Sequence, residues 1–229
     1  MATITKWTVL KIFLYAMILV STVLIIRLLS KPSPATFGYL LTHPITFIAF
    51  TYAYYKSRNK FWLIMLLSVP PMFISDLYFL PSFSLIFPHG GAGMNTWAGL
   101  HLLVIAVGCL LYFKNTGVRV VNVLVMIGMV LTNTNFATIA LSSSGIGRAV
   151  ALILQSLIFL CYLPYYGFRK KNFAFSFGSI LQFIGITIAD LYFFTVSHSI
   201  TPVTLAWTDK IITLGRHPMA IGALQDKKL

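Results

Sequence analysis

Hydrophobic residues gather into seven long runs, at about 7–29, 34–54, 61–81, 96–113, 118–141, 146–167 and 173–196, with polar residues mainly in the short stretches between them. A helix that crosses a bilayer needs ~20 mostly apolar residues, and each run is about that long. The pattern predicts an all-α polytopic membrane protein, with seven transmembrane helices in a single transmembrane domain over residues 1–229. The first run opens with Lys6 and Lys11 and lacks a small-x-small cleavage site, so it reads as a retained anchor rather than a removed signal. The tail 197–229 is long enough to cross but carries Asp209, Lys210, Arg216 and His217. It reads either as an eighth, polar span or re-entrant segment, or as an extramembrane tail.

The segments MFISDLYFL (72–80) and ITIADLYFF (186–194) match at Ile, Asp, Leu, Tyr and Phe with an offset of 114 residues, about half the chain. The same offset lays run one on run five, two on six and three on seven. This predicts a parallel internal repeat, with half-repeats at about 1–95 and 115–200 and a linking helix at 96–113. Parallel repeats occur among membrane transporters.

Composition agrees with the runs: 58% of residues are hydrophobic and 9% charged, at a mean hydropathy of +0.87, whereas a soluble globule carries about 25% charged residues. Seventeen Lys and Arg face four acidic residues, Asp76, Asp190, Asp209 and Asp226, for a net charge of +13. In a soluble protein this would point to nucleic acid. Here the cations lie in short connections between apolar runs, so the expected partners are membrane lipids, not nucleic acid. Ten loop cations, among them Lys6, Arg58, Lys114 and Lys170, fall on the amino-terminal side, against Arg27, Lys31 and Arg148 on the other. That asymmetry places the amino terminus in the cytoplasm. Cys109 and Cys161 both sit in apolar runs, where thiols act as small packing residues, and their spacing suggests neither a disulfide nor a zinc site.

An ionisable side chain inside a span costs on the order of 2.5–3.5 kcal/mol and marks a functional site by default. Asp76 and Asp190 therefore head the candidates, each falling late in an outward-running helix. His43 and His101 fall early in inward-running helices, and Asn133, Asn135 and Gln155 reach the same outward leaflet. Two carboxylates and an imidazole can do general acid–base work, so Asp76, Asp190 and His101 form the expected catalytic set. His43, Asn133, Asn135, Gln155 and the repeated Tyr78 and Tyr192 form the expected substrate-binding set. No helix pairs metal ligands at i and i+3 or i+4, so neither metal nor cofactor is expected. Pro70 and Pro71 predict a broken third helix beside Asp76.

Two resemblances bear on function. Arg216, His217, Pro218 and Gly222 look like the R-H-P-x-x-x-G element of membrane methyltransferases related to isoprenylcysteine carboxyl methyltransferase, but the helices and acidic motif that follow it in that family do not follow Gly222 here. The second spans most of the chain. Lys31-Pro32 before run two, Ser75-Asp76 late in run three, Trp97 and His101-Leu102-Leu103 in run four, and Ala189-Asp190 late in run seven resemble the YhhN/TMEM lysoplasmalogenase-like family. Ser75 stands where that family usually has Gly, and Val104 where it has an aromatic residue. The resemblance implies an eight-helix intramembrane hydrolase that cleaves the vinyl-ether bond of lysoplasmalogens with embedded Asp and His residues. From the residues alone, an acid–base enzyme acting on a hydrophobic alkene or ether stands beside a small-solute permease and a structural or assembly subunit. Lateral opening of a cavity to lipid favours the first, a path through both faces the second, and no cavity the third.

Overall fold

A computed structural model describes residues 6–28, 36–77, 90–113, 162–192 and 202–226. Among these residues the structure is entirely helical: α1 Lys6–Leu28, α2 Thr36–Ser57, α3 Lys60–Leu77, α4 Gly90–Phe113, α5 Leu163–Arg169, α6 Phe173–Tyr192 and α7 Pro202–Gln225. Two helices, over Lys6–Arg27 and Lys60–Leu77, are long and apolar enough to cross a membrane. Runs 118–141 and most of 146–167 lie outside the described residues, so most of the second half-repeat does too.

Two turns are built alike. Between α2 and α3, Arg58 takes a left-handed backbone (φ 55°); between α5 and α6, Lys171 does the same (φ 55°). An asparagine follows each and caps the next helix, Asn59 Oδ1 accepting from the Phe61 N–H and Asn172 Oδ1 from the Phe175 N–H. Each asparagine amide then reaches another helix, Asn59 Nδ2 donating to the Tyr166 hydroxyl and Asn172 Nδ2 to the Gly222 carbonyl, both at 2.8 Å.

These turns gather one end of the bundle, which holds Lys6, Lys11, Lys56, Arg58, Lys60, Arg169, Lys170 and Lys171. Beneath them lies an aromatic cluster. Phe61 stacks on Tyr166 with ring centroids 3.5 Å apart, and Trp62 and Phe175 meet both rings edge-on. The Trp62 indole donates to Asp226, tying the end of α7 to the start of α3. Burial pushes the Asp226 carboxyl above its usual range, partly offset by that hydrogen bond and by Lys170.

The tail is not detached from the bundle. It forms α7, which packs along α6 and also against α2 and α1, burying Thr213, Arg216, His217, Met219, Ala220, Ala223 and Leu224. Glycines make this possible. A Cβ on Gly178 would lie 2.4 Å from the Gly215 carbonyl oxygen, and one on Gly215 would lie 2.7 Å from that of Gly178. Gly185 and Gly222 repeat the contact seven residues on, against backbone of the facing helix. Small residues at this spacing bring two helix backbones close enough to pack without a large apolar face.

The third helix is not broken. Residues Lys60–Leu77 form one α-helix through Pro70 and Pro71. Two successive prolines fix φ near −65°, a helical value; they remove the donors that would have met the Leu66 and Leu67 carbonyls and crowd those carbonyls with their rings, yet the helix continues through them.

Candidate functional site

The site lies away from the cationic end, where α2, α3, α4 and α7 converge. Asp76 is sixteen residues along α3 from Lys60, or roughly 24 Å at 1.5 Å per residue. His43 comes from the first half of α2, His101 from the middle of α4 and Arg216 from α7.

At its centre His43, Asp76 and Arg216 are all buried. Asp76 Oδ2 lies 2.6 Å from His43 Nε2 and 3.2 Å from Arg216 Nη1, and those two nitrogens are 3.1 Å apart. Proton bookkeeping selects one arrangement. A guanidinium only donates, so Arg216 needs an acceptor, and a carboxylate oxygen can take both bonds. Nε2–H of His43 therefore donates to Asp76 Oδ2, and the ring's Nδ1 carries the lone pair. Removing either partner of such a buried pair leaves an uncompensated charge.

Arg216 reaches this point because of its neighbours on α7. Gly215 faces α6, and the next residue, about 100° round the helix, turns toward α2 and α3. His217 turns further, toward α1 and α2. The Thr22 hydroxyl donates to the Ile18 carbonyl (2.7 Å), so it accepts from His217 Nδ1–H at 2.8 Å. That leaves Nε2 as the acceptor facing the Thr42 hydroxyl at 3.3 Å. Thr42-His43 on α2 thus meets Arg216-His217 on α7 as two adjacent pairs.

His43 borders two spaces. Inward is a cavity of about 30 Å³ whose polar lining is His43, Thr46, Ser68, His101, Gln182 and Arg216, large enough for about two waters. Outward is a wholly apolar crevice of about 400 Å³ between α2 and α3, bordered by Pro44, Phe47, Ile48, Pro70 and Phe73. His43 and Val69 line both.

The expected residues are distributed unevenly. Asp76 and His43 are in direct contact, so His43 belongs with the central cluster rather than only with the binding set. His101 shares the cavity but bonds elsewhere: its Nδ1–H donates to the Ser68 carbonyl at 2.7 Å, leaving Nε2 as its unprotonated nitrogen. Asp190 and Tyr192 stand in the last turn of α6, with side chains outside the described residues. Tyr78, Asn133, Asn135 and Gln155 lie outside the described residues altogether. Among the described residues no group of three or more His, Cys, Asp or Glu is placed to hold a metal ion.

Sequence reasoning passed over Arg216 and Gln182. Arg216 was legible only as part of a set-aside motif in an ambiguous tail. The available signal was the seven-residue spacing of Gly215 and Gly222 beside Gly178 and Gly185, which marks two helices that pack closely. No protein-family model matches this chain, and neither a curated protein nor a solved structure matches it.

Proposed function

We propose that this chain is a multi-pass membrane protein with its amino terminus in the cytoplasm, and that it is an intramembrane acid–base hydrolase acting on a hydrophobic alkenyl-ether lipid. The observation that carries the reading is the position of His43, in the wall between a water-sized cavity, into which six polar side chains reach among apolar ones, and an apolar crevice. A hydrolase of membrane substrates needs water on one side of its proton carrier and hydrocarbon on the other. The crevice is bordered by the exposed Phe47 and Ile48, and the aromatic cluster of Phe61, Trp62 and Tyr166 packs the cationic end; both support the enzyme reading.

Hydrolysis of a vinyl ether begins with a proton added to the alkene carbon remote from oxygen, which leaves an oxocarbenium ion. Water adds to the carbon bearing oxygen, and the hemiacetal collapses to an aldehyde and an alcohol. Asp76, which accepts from both neighbours, acts here as the orienting carboxylate, and His43, once it has taken up a second proton at Nδ1, gives that proton to the alkene and takes one back from the hemiacetal hydroxyl. His101 Nε2 accepts a proton from the attacking cavity water and passes it to the departing alcohol oxygen. Arg216 balances the charge of Asp76 through the cycle. The resemblance to the YhhN/TMEM lysoplasmalogenase-like family, carried by Ser75-Asp76 and His101-Leu102-Leu103, supports the same substrate class.

The parallel repeat also belongs to this reading. The paired turns at Arg58-Asn59 and Lys171-Asn172 support it, since Asn59 precedes Asp76 by 17 residues and Asn172 precedes Asp190 by 18.

The test is aldehyde release by the detergent-purified protein from a lysoplasmalogen and from its saturated alkyl-ether analogue. Wild type is expected to cleave only the first and to incorporate oxygen from isotopically labelled water, and His43→Gln is expected to be inactive while remaining monodisperse. A well-folded wild type that releases no aldehyde, or a fully active His43→Gln, overturns the reading.

A further inference from the structure

At the cationic end, away from the site above, α1, α2 and the turn after α2 bring three cations onto two tyrosine rings, with a tryptophan packed against both. Trp7 packs between Tyr52 (centroids 5.4 Å, edge-on) and Tyr55 (5.2 Å). The Lys11 ammonium lies 5.1 Å and that of Lys56 5.9 Å from the centroid of the same Tyr52 ring, and the Arg58 guanidinium lies 4.9 Å from that of Tyr55. The ring faces draw each cation in. The cations repel one another, and among the described residues no carboxylate is paired with Lys11, Lys56 or Arg58; the Asp76 pairs stand at the far side of the bundle. An anion is what this arrangement lacks.

The opposite face of α1 is apolar and exposed: Val9, Ile12, Phe13, Val20 and Val23 form a track up a helix of 23 residues, roughly 34 Å at 1.5 Å per residue, so the helix that presents Lys11 to α2 turns its outer face to hydrocarbon. Trp7 and Tyr55, 42% and 54% exposed, stand beside the cations at the end of the helix, the position that amphipathic rings take at a membrane interface.

We infer that Lys11, Lys56 and Arg58, framed by Trp7, Tyr52 and Tyr55, form a binding site for the phosphate of an anionic phospholipid of the surrounding bilayer. The inference rests on the membrane reading and is independent of the chemistry at His43. Its consequence is mechanical. A lipid there clamps the foot of α1 to α2, and α1 supplies Thr22, which holds His217 beside Arg216.

The experiment titrates the detergent-solubilised full chain with phosphatidylglycerol or phosphatidylcholine and counts bound lipid by native mass spectrometry. Phosphatidylglycerol is expected to bind at least about tenfold more tightly, and Lys11→Gln/Lys56→Gln/Arg58→Gln to weaken it by about 100-fold, the scale of three charges near an anionic surface. Arg169→Gln/Lys170→Gln/Lys171→Gln removes as much charge from the same end and is expected to leave binding unchanged. Should the first triple variant fail to fold, Arg58→Gln alone is expected to cost about fivefold. Equal affinity for the two lipids overturns the inference, as does equal loss in both triple variants. Displacement of the lipid by millimolar inorganic phosphate overturns the assignment to a lipid. A chain that stays monodisperse without detergent and takes up no lipid instead overturns the membrane reading.

Discussion

Asp76 holds two donors on one oxygen. His43 and Arg216 both aim at Oδ2, so on the proposed function the carboxylate would serve fold and chemistry at once, and a single substitution would disturb both. Asp76→Asn is expected to abolish turnover and to lower stability by about 3–5 kcal/mol, because Arg216 is left as a buried, uncompensated charge. The double variant Asp76→Asn/Arg216→Gln removes both charges, so its thermal stability is expected to recover toward wild type while turnover stays lost. Comparing melting and aldehyde release across the four proteins of that cycle separates the roles. Full turnover in Asp76→Asn with only stability lost would make the carboxylate a packing residue and sink its place in the mechanism.

α7 is an unusually polar helix, and neighbours hold it in place more than its own hydrophobicity does. The backbone approach at Gly178 and Gly215 sets its distance from α6, and its rotation decides that Arg216 faces His43 while His217 faces Thr22. Gly215→Ala places a methyl group 2.7 Å from the Gly178 carbonyl oxygen and 2.8 Å from the backbone nitrogen of Gln182. Neither atom can yield as a flexible side chain would. The variant is expected to lose about 1–3 kcal/mol of stability and, by pushing α7 outward, to lose turnover although no site residue has changed. Unaltered melting and turnover in Gly215→Ala would show that α7 is positioned by other contacts.

Across the whole molecule the charges separate by end. Eight cations surround the aromatic cluster, while the His43–Asp76–Arg216 cluster lies toward the other end. On the proposed topology, with the amino terminus inside, the candidate site would face the outer leaflet and the phospholipid site the inner one. A cysteine introduced at position 58 is expected to resist an impermeant thiol reagent in intact cells and to react once the cells are opened. Labelling in intact cells would invert the topology and move the candidate site to the cytoplasmic leaflet.

Apolar runs of span length foretold the helices, because the span a helix needs and the polarity it tolerates are properties of a local segment. α1, α2, α3, α4 and α6 each overlap an expected run. The same local rule marked Asp76, His43 and His101 as costly residues to bury, and so as candidates. The continuity of α3 was not legible, since Pro70 and Pro71 signal a break locally while the helix accommodates their lost donors. Nor was the contact of His43 with Asp76, which lies 33 residues away in sequence. Arg216 was least legible of all. An arginine in a polar tail reads as solvated until a counter-ion is seen, and its counter-ion stands 140 residues earlier. Sequence by itself determined which segments become helices and which side chains are expensive to bury, both set by transfer from water over a few turns. Only the tertiary structure decided which expensive groups compensate one another. That depends on helix rotation and on the close approach of α6 and α7, and it took both to join Arg216 to Asp76.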